Sequence, residues 1–312
     1  LVAGPIVRWT TMGQQIETPR PFLTDRFIVG IALMVVGLFQ KIVLADGIFA
    51  PVANAQFDQN TFDTGVSAWM GALAFTGQIF SDFAGYTTCA IGAALVLGFR
   101  LPVNFQSPYA AIGFSDFWRR WHISLSSWLR DYLYIPLGGN RGSASTTARN
   151  LMITMLLGGL WHGAAWTFVV WGLLHGLFLL LERGVKQFAD TRGIGPSAVT
   201  KSLGWCVTLL AVVTAWVFFR AEDLGSAVAM VTTMYTVSSF ALADLLNIDF
   251  ESWWMLVVFM ALLGQQLITR DRPLQALVDN LSWPVLGVML GAMLFLISTT
   301  TGQTNAFIYF QF

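Results

Sequence analysis

The chain has 312 residues, 55% of them apolar and only 11% charged, with 25 Phe, 13 Trp and 29 Gly and a mean hydropathy of +0.64. Ordinary soluble domains carry roughly 25% charged residues, so this composition excludes a disordered chain, a nucleic-acid binder with a basic face and a soluble enzyme, and makes lipid the solvent for most of the surface. Seventeen basic residues balance seventeen acidic ones, so net charge names no partner.

Charge-free runs mark the membrane segments, since a crossing helix needs about 20 apolar residues. In chain order they are 27–49 (interrupted late by Lys41 and Asp46), 64–81, 83–99, 151–181, 203–219, 252–269 and 282–300. With no internal repeat, low-complexity tract or linker, the chain reads as a single transmembrane domain over residues 1–312. The first residue is Leu, and no signal peptide precedes it, which predicts an N-terminally truncated sequence. Basic residues concentrate in 183–201 and 270–272. The stretch 220–251 is mostly acidic, and the tail after Thr300 is uncharged. Counting Lys and Arg alone predicts inside, outside, inside and outside for these four stretches in chain order.

Two segments depart from simple spans. Residues 114–133 predict one amphipathic helix capped by Ser115 or Asp116. Phe114, Phe117, Trp118, Trp121, Leu125, Trp128, Leu129 and Tyr132 share one face; Arg119, Ser126 and Arg130 lie opposite, and His122 sits on the border. The plain reading is a helix in the membrane interface; the sharper one is that its polar edge floors a cavity. The run 151–181, with 31 uncharged residues, is too long for one crossing and too short for two. It predicts a helical hairpin that enters, breaks at Gly158, Gly159 or Gly163, and returns with His162 near the tip. Irregular backbone at that depth is tolerated where it lines a cavity or is buried in protein.

The three histidines are His122, His162 and His175. A membrane histidine is a functional candidate, although a structural one bonded to a backbone carbonyl is the alternative for each. His162 has glycine, alanine and two tryptophans around it in Gly159–Trp166, while His175 has a weaker version of the same surroundings. No HxxxH, HExxH or CxxC spacing predicts a metal, and Cys89 and Cys206 build neither disulfide scaffold nor metal knuckle. There is no G-x-S-x-G elbow. The Gly-rich 136–142 lacks a P-loop ending and reads as a turn. Asp82, between two apolar runs, reads as a proton-relay or ion-site carboxylate, or as a capped helix end at the interface; the capped end is preferred. What remains is a histidine acting as general base in a membrane pocket. That suits acyl transfer from a thioester to a hydroxyl, with His162 as base and His122 assisting.

Several ordered stretches carry a resemblance: LVAGPIVR at 1–8, DFWRRWHISLS at 116–126, RDYLYIPLGGNR at 130–141, GGLWHG at 158–163 and WGLLHG at 171–176. Together they resemble the membrane-bound O-acyltransferase (MBOAT) family, in its bacterial alginate O-acetyltransferase-like branch. The resemblance implies an all-α polytopic bundle with interfacial and re-entrant helices around a central tunnel, and an N-terminal block of helices absent from this chain. It also implies the essential histidine at His162 with a second at His122, no bound cofactor, and acetyl-CoA as the cytoplasmic acyl donor. Localisation would be the bacterial inner membrane, with a periplasmic O-acetylating partner placing the acyl group on polysaccharide, alginate first. If the donor is CoA, Arg120, Arg130 or Arg141 would meet its phosphates, although interfacial Arg residues also bind lipid headgroups. The related D-alanylation system has a tail of Tyr-x-x-Phe type, so Tyr309 is an acyl-relay candidate, against the plainer reading of an aromatic anchor. Rival readings are a relative acting on cellulose, peptidoglycan or teichoic acid, a transporter, and a membrane scaffold.

Overall fold

The computed structural model describes residues 4–18, 23–58 and 63–300, and among them every regular element is helical. After α1 (Trp9–Glu17), the first rod runs through α2 (Thr24–Phe39), a ten-residue π-helical stretch (Gln40–Phe49) and α3 (Ala50–Phe57). These form 34 continuous residues, about 51 Å at 1.5 Å per residue.

Next comes α4 (Gly65–Val96), opened by a reciprocal cap between Thr64 and Ser67. This single 32-residue helix replaces the two spans expected at 64–81 and 83–99, and Asp82 is not a capped end. Asp82 lies mid-helix, 2% exposed, and its carboxylate meets Lys41 Nζ at 2.6 Å. A charge neutralised by the neighbouring rod does not end a helix, so the sequence boundary was false. The two rods pack antiparallel at glycine distance: a Cβ on Gly37 would stand 2.5 Å from the carbonyl oxygen of Gly85, and Gly30 meets Gly92 in the same way. Small residues allow this close backbone approach.

The expected helix over 114–133 is two: α5 (Phe114–Arg120) and α6 (Ile123–Leu129), followed by a π-helical turn over Arg130–Tyr134. The break falls at Trp121 and His122, with His122 left-handed at φ 41°. Loop 104–106 causes it. The Gln106 N–H donates to Arg120 O at 3.0 Å and the Ile123 N–H to Asn104 O at 2.9 Å, so the backbone bonds sideways at the point where a helix would continue. Gly113, not Ser115 or Asp116, precedes the first turn. The Asp116 carboxylate reaches back to the Ile112 N–H, and Ser115 donates to Glu182. The apolar face is largely as read: Phe114, Phe117, Trp121, Leu125 and Leu129 are buried, whereas Trp128 and Tyr132 are exposed.

The uncharged run folds as the expected hairpin, α7 (Ala144–His162) and α8 (Trp166–Thr191) joined by three residues. Gly159 and Gly172 interlock, each against the backbone of the partner helix. The chain continues through α9 (Ala198–Arg220), α10 (Leu224–Tyr235), α11 (Leu242–Leu246), α12 (Phe250–Ile268), α13 (Leu274–Asp279) and α14 (Trp283–Thr299). Among the described residues, five helices are long and apolar enough to cross a membrane: 24–57, α4, α8, α9 and α12. Ion pairs mark two ends of the bundle. Asp116–Arg270 and Arg120–Asp271 tie α5 to 270–271, with Ser115 and Glu182 joined beside them. Arg220 pairs with Asp58 at the far end of α9. Stretches 183–201 and 270–272 therefore share one end and residue 220 lies at the other, as the first three of the four stretches require, while the tail after Thr300 lies outside the described residues.

Candidate active site

Two tryptophan rings collect the histidines. Trp161 lies 6.4 Å from the His122 ring and 5.1 Å from that of His162, centroid to centroid. Trp171 lies 5.2 Å from His162 and 4.7 Å from His175. Thirteen residues separate His162 from His175 in sequence, but the turn of the hairpin brings both against one ring.

His122 is 3% exposed. Its Nδ1 lies 3.1 Å from Asn104 Oδ1, an atom that also accepts from the Ser124 N–H at 3.1 Å and from Ser124 Oγ at 2.8 Å. The backbone donor identifies that Asn104 atom as the oxygen, so the neutral imidazole donates from Nδ1 and keeps a lone pair on Nε2. Phe83 packs edge-on to the ring at 4.7 Å. Asn104, a lone amide in a loop, carried no sequence signal; only the tertiary contact reveals it.

His162 is the last residue of α7 and is half-buried. Its other ring neighbours are Phe219 at 5.0 Å and Phe168 at 6.3 Å. A Cβ on Gly163 would stand 2.5 Å from the Phe168 ring, so the following glycine is what lets Phe168 close over the tip. His175 is fully buried, stacked on Phe117 at 5.9 Å and edge-on to Trp118 at 5.1 Å.

At the end of the bundle carrying Arg183 lies a cleft of about 1040 Å³. Its lining includes Arg119, Arg130, Arg183 and Lys186 against Glu182 and Asp190, four cationic side chains to two acidic. Arg119 and Arg130, on the polar edge of the α5–α6 segment, border this open cleft and remain 69% and 62% exposed, so that edge faces solvent as well as the cleft. Of the three arginines singled out from sequence, Arg130 lines this cleft. Arg120 is buried and tied to Asp116 at 3.0 Å and Asp271 at 2.9 Å, while Arg141 stands exposed on the glycine-rich turn. Arg130 and Arg8 hold the neighbouring Asp131 carboxyl down at about 2. Arg119, placed by the sequence on the polar edge of this segment but not among the donor contacts, and Arg183 also line the cleft; Arg183 could have been noticed as the first cation after the uncharged run. Along α8, Glu182, Leu179, His175, Trp171 and Phe168 recur at three- and four-residue steps, one stripe leading from the cleft to His162. Tyr309 lies outside the described residues, and among those described no group of His, Cys, Asp or Glu is arranged to hold a metal ion.

The histidines and the residues lining the cleft fall within residues 1–221, which match the family described as MBOAT, membrane-bound O-acyltransferase, and the chain belongs to that family. It is a multi-pass membrane protein. It is 44% identical over 261 residues to "Probable alginate O-acetylase AlgI" of Azotobacter vinelandii, covering 84% of this chain and 50% of that protein. The Pseudomonas aeruginosa protein of the same description is 45% identical over 245 residues, covering 78% and 45% of the two chains. The "Peptidoglycan O-acetyltransferase" of Helicobacter pylori is 42% identical over 251 residues, covering 78% and 46%. The chain thus spans about half the length of the curated relatives it matches.

Proposed function

We propose that this chain is the histidine-bearing part of an O-acyltransferase of the bacterial inner membrane, moving an acetyl group from a cytoplasmic thioester toward an exopolysaccharide. The observation that carries the reading is the pairing of His162 and His122 across Trp161, joined by one stripe of α8 to a cationic cleft. The hydroxyl oxygen attacks the thioester carbonyl carbon while an imidazole nitrogen of His162 takes the hydroxyl proton. The carbon–sulfur bond then breaks, and the thiolate takes up the proton, leaving an ester and a thiol. His122, with Nδ1 committed to Asn104, turns an accepting Nε2 toward the reactants, which suits orienting the hydroxyl better than stabilising an oxyanion.

Acetyl-CoA is the donor this reading favours, because its phosphates suit Arg119 and Arg183 in the cleft; Lys186 there is paired with Glu182. Arg130 serves there less freely, being paired with Asp131 at 2.7 Å. A periplasmic partner would complete transfer to the polymer, and Tyr309 remains the relay candidate, read by intact mass after incubation with labelled acetyl-CoA. Alginate is the preferred polymer on the relatives' names. The 42% identity to a peptidoglycan O-acetyltransferase supports peptidoglycan as a second reading, and mass spectrometry of the modified polymer separates the two.

Positioned general-base catalysis contributes about 10²- to 10⁴-fold. Correctly inserted His162→Ala protein, assayed with full-length chain and partner, is expected to lose acetyl transfer by that factor; transfer at the normal rate would refute the proposal.

A further inference from the structure

At the midpoints of the two longest rods lies a charged cluster that the acyl-transfer chemistry does not use. Lys41 Nζ meets Asp46 Oδ1 at 2.9 Å and Asp82 Oδ1 at 2.6 Å, and the two carboxylates are 5% and 2% exposed. Lys41 is 17 residues into the 34-residue rod and Asp82 is 17 residues past the start of α4, so the cluster sits about 25 Å from the start of each rod. One ammonium and two carboxylates sum to −1. Of the helices packed around it, α4, α12 and α14 carry no Lys or Arg, and Arg26, Lys201 and Arg220 stand toward helix ends; Arg272 lies in a neighbouring pocket that it lines with Gln40, Phe80 and Ala84. An uncompensated charge at such depth is expensive, and intramembrane ionisable groups are neutralised by partners or ions.

Buried oxygens there also lack partners, among them Asp46 Oδ2, Gln78 Oε1 and Ser81 Oγ, on residues that are 7%, 6% and 0% exposed. Register on α4 aims them inward. Ser81 lies one turn from both Gly77 and Gly85, which press on the Phe49 ring and on the Lys41 backbone nitrogen. Gln78 lies one turn before Asp82. The opposing wall is the π-helical stretch 40–49, a rare backbone form that recurs at functional sites.

We propose that Asp46, Gln78 and Ser81 bind one monovalent cation, Na⁺, that completes the charge of the Lys41–Asp46–Asp82 cluster. A carboxylate, an amide carbonyl and a hydroxyl are the oxygen donors that a hard cation takes. One positive charge brings the cluster to neutrality, whereas a divalent ion would overshoot it. The glycine-close packing of the two rods favours a small ion. This proposal is independent of the acyl-transfer reading, because its test measures binding and stability.

The full chain in lipid nanodiscs is unfolded thermally at fixed pH in NaCl, KCl or choline chloride of equal ionic strength. The midpoint is expected to rise with NaCl concentration, less with KCl, and not with choline, as ligand binding to the folded state requires. Ser81→Ala should move the Na⁺ response to roughly tenfold higher concentration. Asp46→Asn, whose cluster is already neutral, should abolish the response while remaining folded in choline. A wild-type midpoint that is the same in NaCl and choline overturns the proposal, and a stability that then follows pH alone would make the missing charge a proton. A Na⁺ response that survives intact in both Asp46→Asn and Ser81→Ala also overturns it, by placing the ion elsewhere.

Discussion

His122 is held in a conformation that a side chain rarely adopts. Its φ of 41° is the left-handed region, which costs a non-glycine residue roughly 1–2 kcal/mol. The cost is offset by the bonds that the turn allows: Nδ1 to Asn104, and the backbone of residues 120 and 123 to loop 104–106. Glycine at this position removes the imidazole and relieves the backbone, whereas alanine removes the imidazole and keeps the strain. His122→Gly protein should therefore be about 1 kcal/mol more stable than His122→Ala in denaturant unfolding, with both impaired in acyl transfer. An alanine variant as stable as the glycine one would show that the turn stores no strain. Periodicity placed His122 on the border of an unbroken amphipathic helix, and it had no means of detecting the break. The residues that cause it, Asn104 and Gln106, lie 18 and 16 positions upstream of His122 and act through tertiary hydrogen bonds.

Glycines rather than large apolar side chains set the geometry of the hairpin. A Cβ on Gly172 would press on the Met155 carbonyl oxygen, and one on Gly159 would press on that of Phe168, so helix-to-helix distance depends on both being absent. Gly172→Ala is expected to force α7 and α8 apart. The cost should be about 1–3 kcal/mol, together with reduced acyl transfer, because His162 stands at the moving tip. Gly184 lies on the same helix with no atom within 4 Å of its would-be Cβ, and Gly184→Ala should be neutral or slightly stabilising. Thermal unfolding of the two variants makes the comparison, and equal midpoints would refute the packing argument. The uncharged 31-residue run with flanking cations foretold this hairpin. The same logic failed for α4, where Asp82 read as a boundary. Hydropathy scores a charge as a cost wherever it occurs, and the opposing Lys41 comes from another rod.

For the whole molecule, the cleft and the histidines stand at different depths. Arg119 and Arg183 line the cleft at the end of the bundle that α5 shares with 270–271, whereas His162 touches Phe219, next to Arg220 at the other end. Binding of an anionic donor and chemistry at the imidazole should therefore separate experimentally. Replacing Arg119 and Arg183 together with alanine is expected to raise KM for acetyl-CoA severalfold, steepen no other parameter, and leave kcat within about twofold. Wild-type KM should rise with salt, because exposed charges are screened. A fall in kcat at unchanged KM would contradict a donor-binding role.

Composition, charge-free runs and the distribution of lysine and arginine determined by themselves that this is a helical membrane protein, with one uncharged helical hairpin and a histidine at its tip. Those properties follow from solvation of each segment in lipid, and each segment carries its own solvation in its sequence. Three features needed the folded chain: the broken helix that turns His122, the cluster that buries Asp82 on Lys41, and the choice of arginines free to face the cleft. Each is a pairing between groups far apart in the chain, and the cost of a buried polar group depends on the partner that packing supplies.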